Sequence, residues 1–131
     1  MPAINWLAVI AAAFSAFIIG GVWYSPLLFA KPWQRAAGLT DETVGSGNIA
    51  LIFGLAFVFS LLMSANLAFF VAGTDLGMAI FYALAAGLGW AALGLGVIAL
   101  FERRPPAYFL INGGYLTVSF AVMGLILGLW R

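Results

Sequence analysis

The chain has 131 residues, of which 66% are hydrophobic and 7% charged, whereas a water-facing surface takes about 25% charged residues, so a soluble domain is excluded. A net charge of +1 excludes the clustered basic surface that nucleic acid demands. With no cysteine and no histidine, disulfides, thiolate nucleophiles, imidazole bases and His/Cys metal sites are excluded, and no cofactor is expected.

The charges leave four apolar runs: Met1 to Ala30, Thr43 to Thr74, Leu76 to Phe101 and Pro105 to Trp130. Each exceeds the roughly 20 apolar residues that cross a bilayer core of about 30 Å. The expectation is an all-α integral membrane protein, a single transmembrane domain of four helices in a compact bundle. The helices are expected over 4–28, 48–72, 76–101 and 107–129. The first run lacks the positive n-region of a signal peptide and outruns the usual h-region of about 7–15 residues.

Ser25-Pro26 marks the exit of helix one, because proline disfavours helix in the residue before it. The connection 31–47 is the one sizeable extramembrane piece. Within it, Pro32 to Ala37 reads as a short interfacial helix ended by Gly38, with Trp33 at headgroup level and Lys31 and Arg35 facing the phosphates of membrane lipids. Anchoring is the plain reading of those two cations; the sharper one is an anionic ligand or lipid head. Gly73-Thr74-Asp75 reads as a tight hairpin with Thr74 or Asp75 capping helix three. Pro106 suits the first turn of helix four.

Lys31, Arg35, Arg103 and Arg104 lie in the first and third connections, against Arg131 alone at a terminus. The positive-inside rule then makes those connections cytoplasmic and puts both termini outside. Leu28 to Pro32 resembles Leu100 to Pro105, and Asn48 and Asn112 are each read as opening a helix. A parallel two-helix repeat would explain this, as would chance similarity between two membrane hairpins.

Helix association in lipid relies on close packing and interhelical hydrogen bonds. Small residues spaced by four supply narrow faces: Ala12, Ala16 and Gly20; Ala56, Ser60, Ser64, Ala68 and Ala72; Ala83, Gly87 and Ala91; Gly124 and Gly128. Further glycines at Gly89, Gly94 and Gly96 leave surplus smooth faces on helix three. A homo-oligomer, or a subunit of a larger membrane complex, is therefore expected.

At 1.5 Å of rise per residue, Tyr24, Asn48, Glu102, Asn112 and Tyr115 fall near the cytoplasmic side, beneath Lys31, Arg35, Arg103 and Arg104. Asn5, Asn66 and Asp75 fall at the opposite side. The middle holds Ser15, Ser60, Ser64, Tyr82 and Ser119 and no ionisable carboxylate or base of the kind ion-coupled carriers use. Gly113-Gly114 beside Asn112 offers a place for helix four to break and expose carbonyls. Glu102 beside Arg103 and Arg104 reads as an interfacial lock; the sharper reading makes Glu102, Asn112 and Tyr115 the floor of a cytoplasm-facing pocket whose binding set also takes Tyr24, Lys31, Arg35 and Arg103. The paired glycines at Gly87 to Gly89 and Gly94 to Gly96 form no phosphate loop, and no serine has a histidine base. No enzymatic activity is expected.

The run Trp23-Tyr24-Ser25-Pro26-Leu27-Leu28-Phe29-Ala30-Lys31-Pro32-Trp33 resembles the signature of a family of small bacterial membrane proteins, domain of unknown function 1761. So do Phe101-Glu102-Arg103-Arg104-Pro105, Phe109-Leu110-Ile111-Asn112-Gly113-Gly114-Tyr115 and the closing Met123 to Trp130. The chain departs from that pattern at Ala30, where glycine is usual, and at Pro32. The resemblance implies a four-helix protein of the bacterial inner membrane and brings no established activity. Two functions fit: a non-enzymatic scaffold or accessory subunit acting through helix packing, and a homo-oligomeric transporter or channel for a small solute using the cytoplasm-facing pocket.

Overall fold

The computed structural model describes residues 3–131 and is all-helical over them, with four helices long and apolar enough to cross a membrane. Helix one, α1, runs Trp6–Trp23. Two short helices follow in the first connection, α2 at Ala30–Ala37 and α3 at Asp41–Gly45. Helix two is α4, Ile49–Val71. Helix three is continuous from Leu76 to Phe101 but built in three parts: α5 at Leu76–Leu84, a π-helical segment at Ala85–Ala92, and α6 at Leu93–Phe101. Helix four is α7, Pro106–Leu129. The chain is a multi-pass membrane protein. Its connector end carries α2, α3 and the turn at 102–105; its terminal end carries Asn5, the Asp75 hairpin and Arg131.

Side-chain caps explain most boundaries. Asn5 accepts from the N–H groups of Leu7 and Ala8, Asn48 from Leu51, and Asp75 from Met78, each satisfying donors that a helix start leaves free. Asp75, not Thr74, is thus the cap of helix three. Helix one stops five residues short of the expected Leu28. Its carbonyls at Gly20 and Val22 are taken by the Tyr24 and Ser25 N–H groups, and Pro26 has no N–H to carry the ladder on. Gly38, at φ +73°, ends α2 in the left-handed backbone that suits glycine. Arg103 occupies the same region at φ 61° after α6, while Arg104 N–H bonds Ala99 O. An arginine therefore stands where this helix ending ordinarily uses glycine, at a steric cost on the order of 1 kcal/mol. Helix α3 went unforeseen, although Thr40 caps it and Asp41 and Glu42 fill its first turn.

Helix α7 is the hub, in contact with α1, α4, every part of helix three, and α2. The seam between α5 and α7 is backbone-close. A Cβ at Gly128 would meet Leu76 Cδ1 at 2.8 Å and Ala79 Cβ at 3.1 Å, and one at Gly124 would meet Ala83 Cβ. Gly87 faces the Phe120 side chain and Leu116 O in the same way, while Gly20 makes room for the Tyr115 ring. Across α1 and α4, Ser64 Oγ donates to Val9 O at 2.8 Å in a fully buried setting. Ser60, also buried, bonds its own helix at Ala56 O. Ala8, Ala12, Ala16, Leu67, Ala68, Val71, Ala79, Ala83, Phe120 and Met123 complete the core.

Two expectations are corrected. Helix four does not break at Gly113-Gly114: α7 runs through both, Gly113 buried against Ala92 and Gly114 half-buried against the Trp23 ring. Asn112 does not open that helix but lies well inside it, so its likeness to the capping Asn48 disappears. Under a parallel repeat, α1 with α7 and α4 with helix three would be equivalent pairs. The first pair touches near both ends, through Asn5 Nδ2 to Trp130 O and Trp23 Nε1 to Ile111 O. The second meets through α5, and beyond it α4 and helix three part.

Candidate functional site

At the connector end, aromatic rings and one amide interlock. Trp23 Nε1 donates to Ile111 O at 2.9 Å, and the Tyr24 hydroxyl donates to Asn112 Oδ1 at 2.6 Å. The Tyr24 ring packs on Trp33 of α2 at 4.9 Å and on Tyr115 at 5.5 Å between centroids. The Tyr115 hydroxyl reaches back to Ala16 O at 3.4 Å. Tyr24, Asn112 and Tyr115 are therefore brought together, half-buried, with the Tyr24 and Tyr115 hydroxyls donating to Asn112 Oδ1 and Ala16 O.

The charged residues go elsewhere. Lys31 Nζ sits 2.9 Å from both Asp41 carboxylate oxygens, clamping α2 to α3. Glu102 pairs with Arg104 at 3.4 Å, an exposed contact worth at most about 1 kcal/mol. Arg35 and Arg103 are exposed and make no side-chain hydrogen bond or ion pair among the described residues. Arg104, outside the expected binding set, joins the two connections: it donates to Ala37 O at 3.2 Å and lies over the Tyr108 ring at 5.4 Å. Its role follows from the meeting of α2 with the third connection, which no local spacing announces.

Two predictions follow here. Tyr24→Phe keeps the ring contacts but leaves Asn112 Oδ1 without its donor. Stability in detergent is expected to fall by about 1 kcal/mol; a Tyr24→Phe/Asn112→Leu double-mutant cycle, read by denaturant titration, checks that the loss is shared. The second concerns pH. The Lys31 ammonium, aided by Gln34, holds the Asp41 carboxyl below the usual carboxylate range. A carboxyl lowered in the folded state contributes fully above its unfolded pKa and loses that contribution as pH falls through the folded value. The α2–α3 clamp is thus expected to be intact at neutral pH and to open only in acid, with a midpoint below the ordinary aspartate value of about 3.9. Amide shifts of 41–45 will report the opening, and Asp41→Asn will remove the transition.

A second feature lies in the other half of the bundle. Where α4 and helix three part, a groove of about 930 Å³ opens sideways toward lipid, walled by Leu62, Met63, Asn66, Leu67 and Phe70 of α4 and by Tyr82, Ala85, Ala86, Trp90 and Ala91 of helix three, with Phe120 lining it from α7. Four of these residues belong to the π segment. Such wide turns are rare and cluster at functional sites; here Gly87 and Gly89 weaken the α-helical preference, and Leu93 N–H bonds back to Leu88 O. A smaller cavity of about 60 Å³ lies at the terminal end beside Asn5, Gly73 and Arg131. Among the described residues no group of three acidic, cysteine or histidine side chains is placed to hold a metal.

Comparison with known proteins gives one family. A family model described as "Protein of unknown function (DUF1761)" matches residues 7–128. No curated protein and no solved structure matches the chain. The match spans α1 through nearly all of α7, so the Trp23–Tyr24 cluster, the π segment and the α5–α7 seam all lie within it, and the chain belongs to the DUF1761 family.

Proposed function

We propose that this protein is a non-enzymatic scaffold or accessory subunit that docks laterally onto other membrane helices through the connector half of α4. The observation that carries the reading is exposure. Every residue from Ile49 to Phe59 is exposed except the half-buried Phe57, and a Cβ at Gly54 would meet nothing within 4 Å. Ala50 and Gly54, four apart, make a small-residue face that the bundle does not use, whereas comparable faces on α5 and α7 are consumed internally. Such faces let helix backbones approach closely in lipid.

A solute path through one chain finds less support. Ser64, Ser119 and Met123 are fully buried in the bundle's middle, and at the connector end the Tyr24 hydroxyl is bonded to Asn112. The reading places the protein in a bacterial inner membrane, connector end on the cytoplasmic side. Gentle extraction followed by native mass spectrometry tests it: recovery with further copies or with a larger assembly is expected. A strict monomer across mild detergents and lipid discs would contradict it.

A further inference from the structure

We infer that the lateral groove between α4 and the π segment binds a lipid-soluble quinone, its head on Asn66 and Tyr82 and its tail along the apolar wall. This site is separate from the docking face of α4 and stands or falls independently of it.

Asn66 precedes the end of α4 by five residues and Tyr82 follows the start of α5 by six. At 1.5 Å per residue, the backbones of both lie about 8–9 Å along their spans from the Asp75 hairpin. Asn66 Nδ2 donates to Leu62 O at 2.8 Å, which leaves the second amide hydrogen and Oδ1 for an occupant. The Tyr82 hydroxyl has no partner among the described residues, and Tyr82 is 40% exposed. Unsatisfied polar groups are costly in hydrocarbon, so two of them lining one otherwise apolar groove call for a ligand with hydrogen-bond acceptors.

Three classes of occupant can be compared. A phospholipid holds its phosphate and ester oxygens at the bilayer interface and lays mainly methylenes along a groove that runs on toward the middle of the spans. A partner helix is about 10–12 Å across with its side chains, yet the Phe70 and Trp90 rings meet edge-to-face at 6.4 Å across the groove and narrow it against anything so wide. A quinone is flat, carries carbonyl acceptors on its ring, and is held in the hydrocarbon by its tail. The groove's size and lining, apolar and aromatic with a few polar groups, match those of small-molecule sites, which run to about 300–1,000 Å³.

The test uses the purified full chain in phosphatidylcholine discs, titrated with a benzoquinone bearing a ten-carbon tail, with quenching of tryptophan fluorescence as the readout. Saturable quenching is expected, with most of its amplitude lost in Trp90→Phe because that indole lines the groove. Tyr82→Phe and Asn66→Leu, both at exposed positions, are expected to leave the unfolding midpoint unchanged and together to weaken binding at least tenfold. Quenching that rises linearly without saturation, saturable quenching that survives Trp90→Phe intact, or equal affinity in the double variant would each overturn the assignment. So would a phospholipid that stays bound in native mass spectra and that the quinone fails to displace.

Discussion

Gly124→Leu is expected to abolish the packed bundle, the largest stability effect of any substitution considered. A Cβ at this position lands on Ala83 Cβ and lies 3.1 Å from Ala79 O. Both obstacles are fixed to the backbone of α5, so no rotamer change relieves them. Gly124→Ala already forces the two helices apart, at about 1–3 kcal/mol for overpacking, and leucine adds a side chain with nowhere to go. Because α7 touches every other spanning helix, the damage spreads beyond one seam. Gly94→Ala is the matched control. Its Cβ would meet nothing within 4 Å, and the exchange of glycine for alanine in a helix is favourable by up to about 1 kcal/mol. Denaturant titration of both variants in one detergent, followed by circular dichroism, will separate them: loss of the transition for Gly124→Leu, an equal or later midpoint for Gly94→Ala.

The second large effect is on assembly and leaves the fold alone. Gly54→Leu fills the small-residue face of α4 at a position where an added Cβ meets nothing within 4 Å. The unfolding midpoint is expected to hold, while the association constant falls at least tenfold, which corresponds to about 1.4 kcal/mol. Sedimentation in detergent density-matched to the solvent measures both copies and partners. Assembly equal to that of the unaltered chain would remove Gly54 from the interface.

These contrasts show which parts of the molecule could be read from the sequence. The four spans were legible because the charges fall only in the gaps, and α2, the hairpin and the start of α7 because Gly38, Asp75 and Pro106 each act on their own neighbourhood. The small-residue faces were legible as faces, but the partner of each was not: Gly124 and Gly128 meet Ala83 and Ala79 only once the topology is known. Helix three reads as a uniform apolar run, so its π segment stayed hidden; the wide turn sits where Gly87 meets Phe120, a contact between residues 33 apart in the chain.

The connector-end cluster divides in the same way. Depth along each helix brought Tyr24, Asn112 and Tyr115 to one level, and the structure gives them direct contact. Depth could not show that Lys31 turns to Asp41, that Glu102 turns to Arg104, or that Arg104 bridges to Ala37. Those choices depend on how the connections fold over one another. The lateral groove was invisible for a related reason: Asn66 and Tyr82 read as an isolated amide and an isolated phenol until the divergence of α4 from helix three gave them a common wall.

The measurement that bears most directly on the docking reading is photo-crosslinking in native membranes from a photoreactive residue at Leu55, beside Gly54 on the exposed half of α4. The matched control is the same residue at Leu110 of α7, which is 67% exposed against 45% for Leu55 and also lies near the connector end. If α4 is the docking face, Leu55 will capture a defined protein product, a second copy or a larger subunit, and Gly54→Leu will abolish it while Leu110 yields lipid adducts. Equal, diffuse lipid labelling from both positions would contradict the scaffold reading.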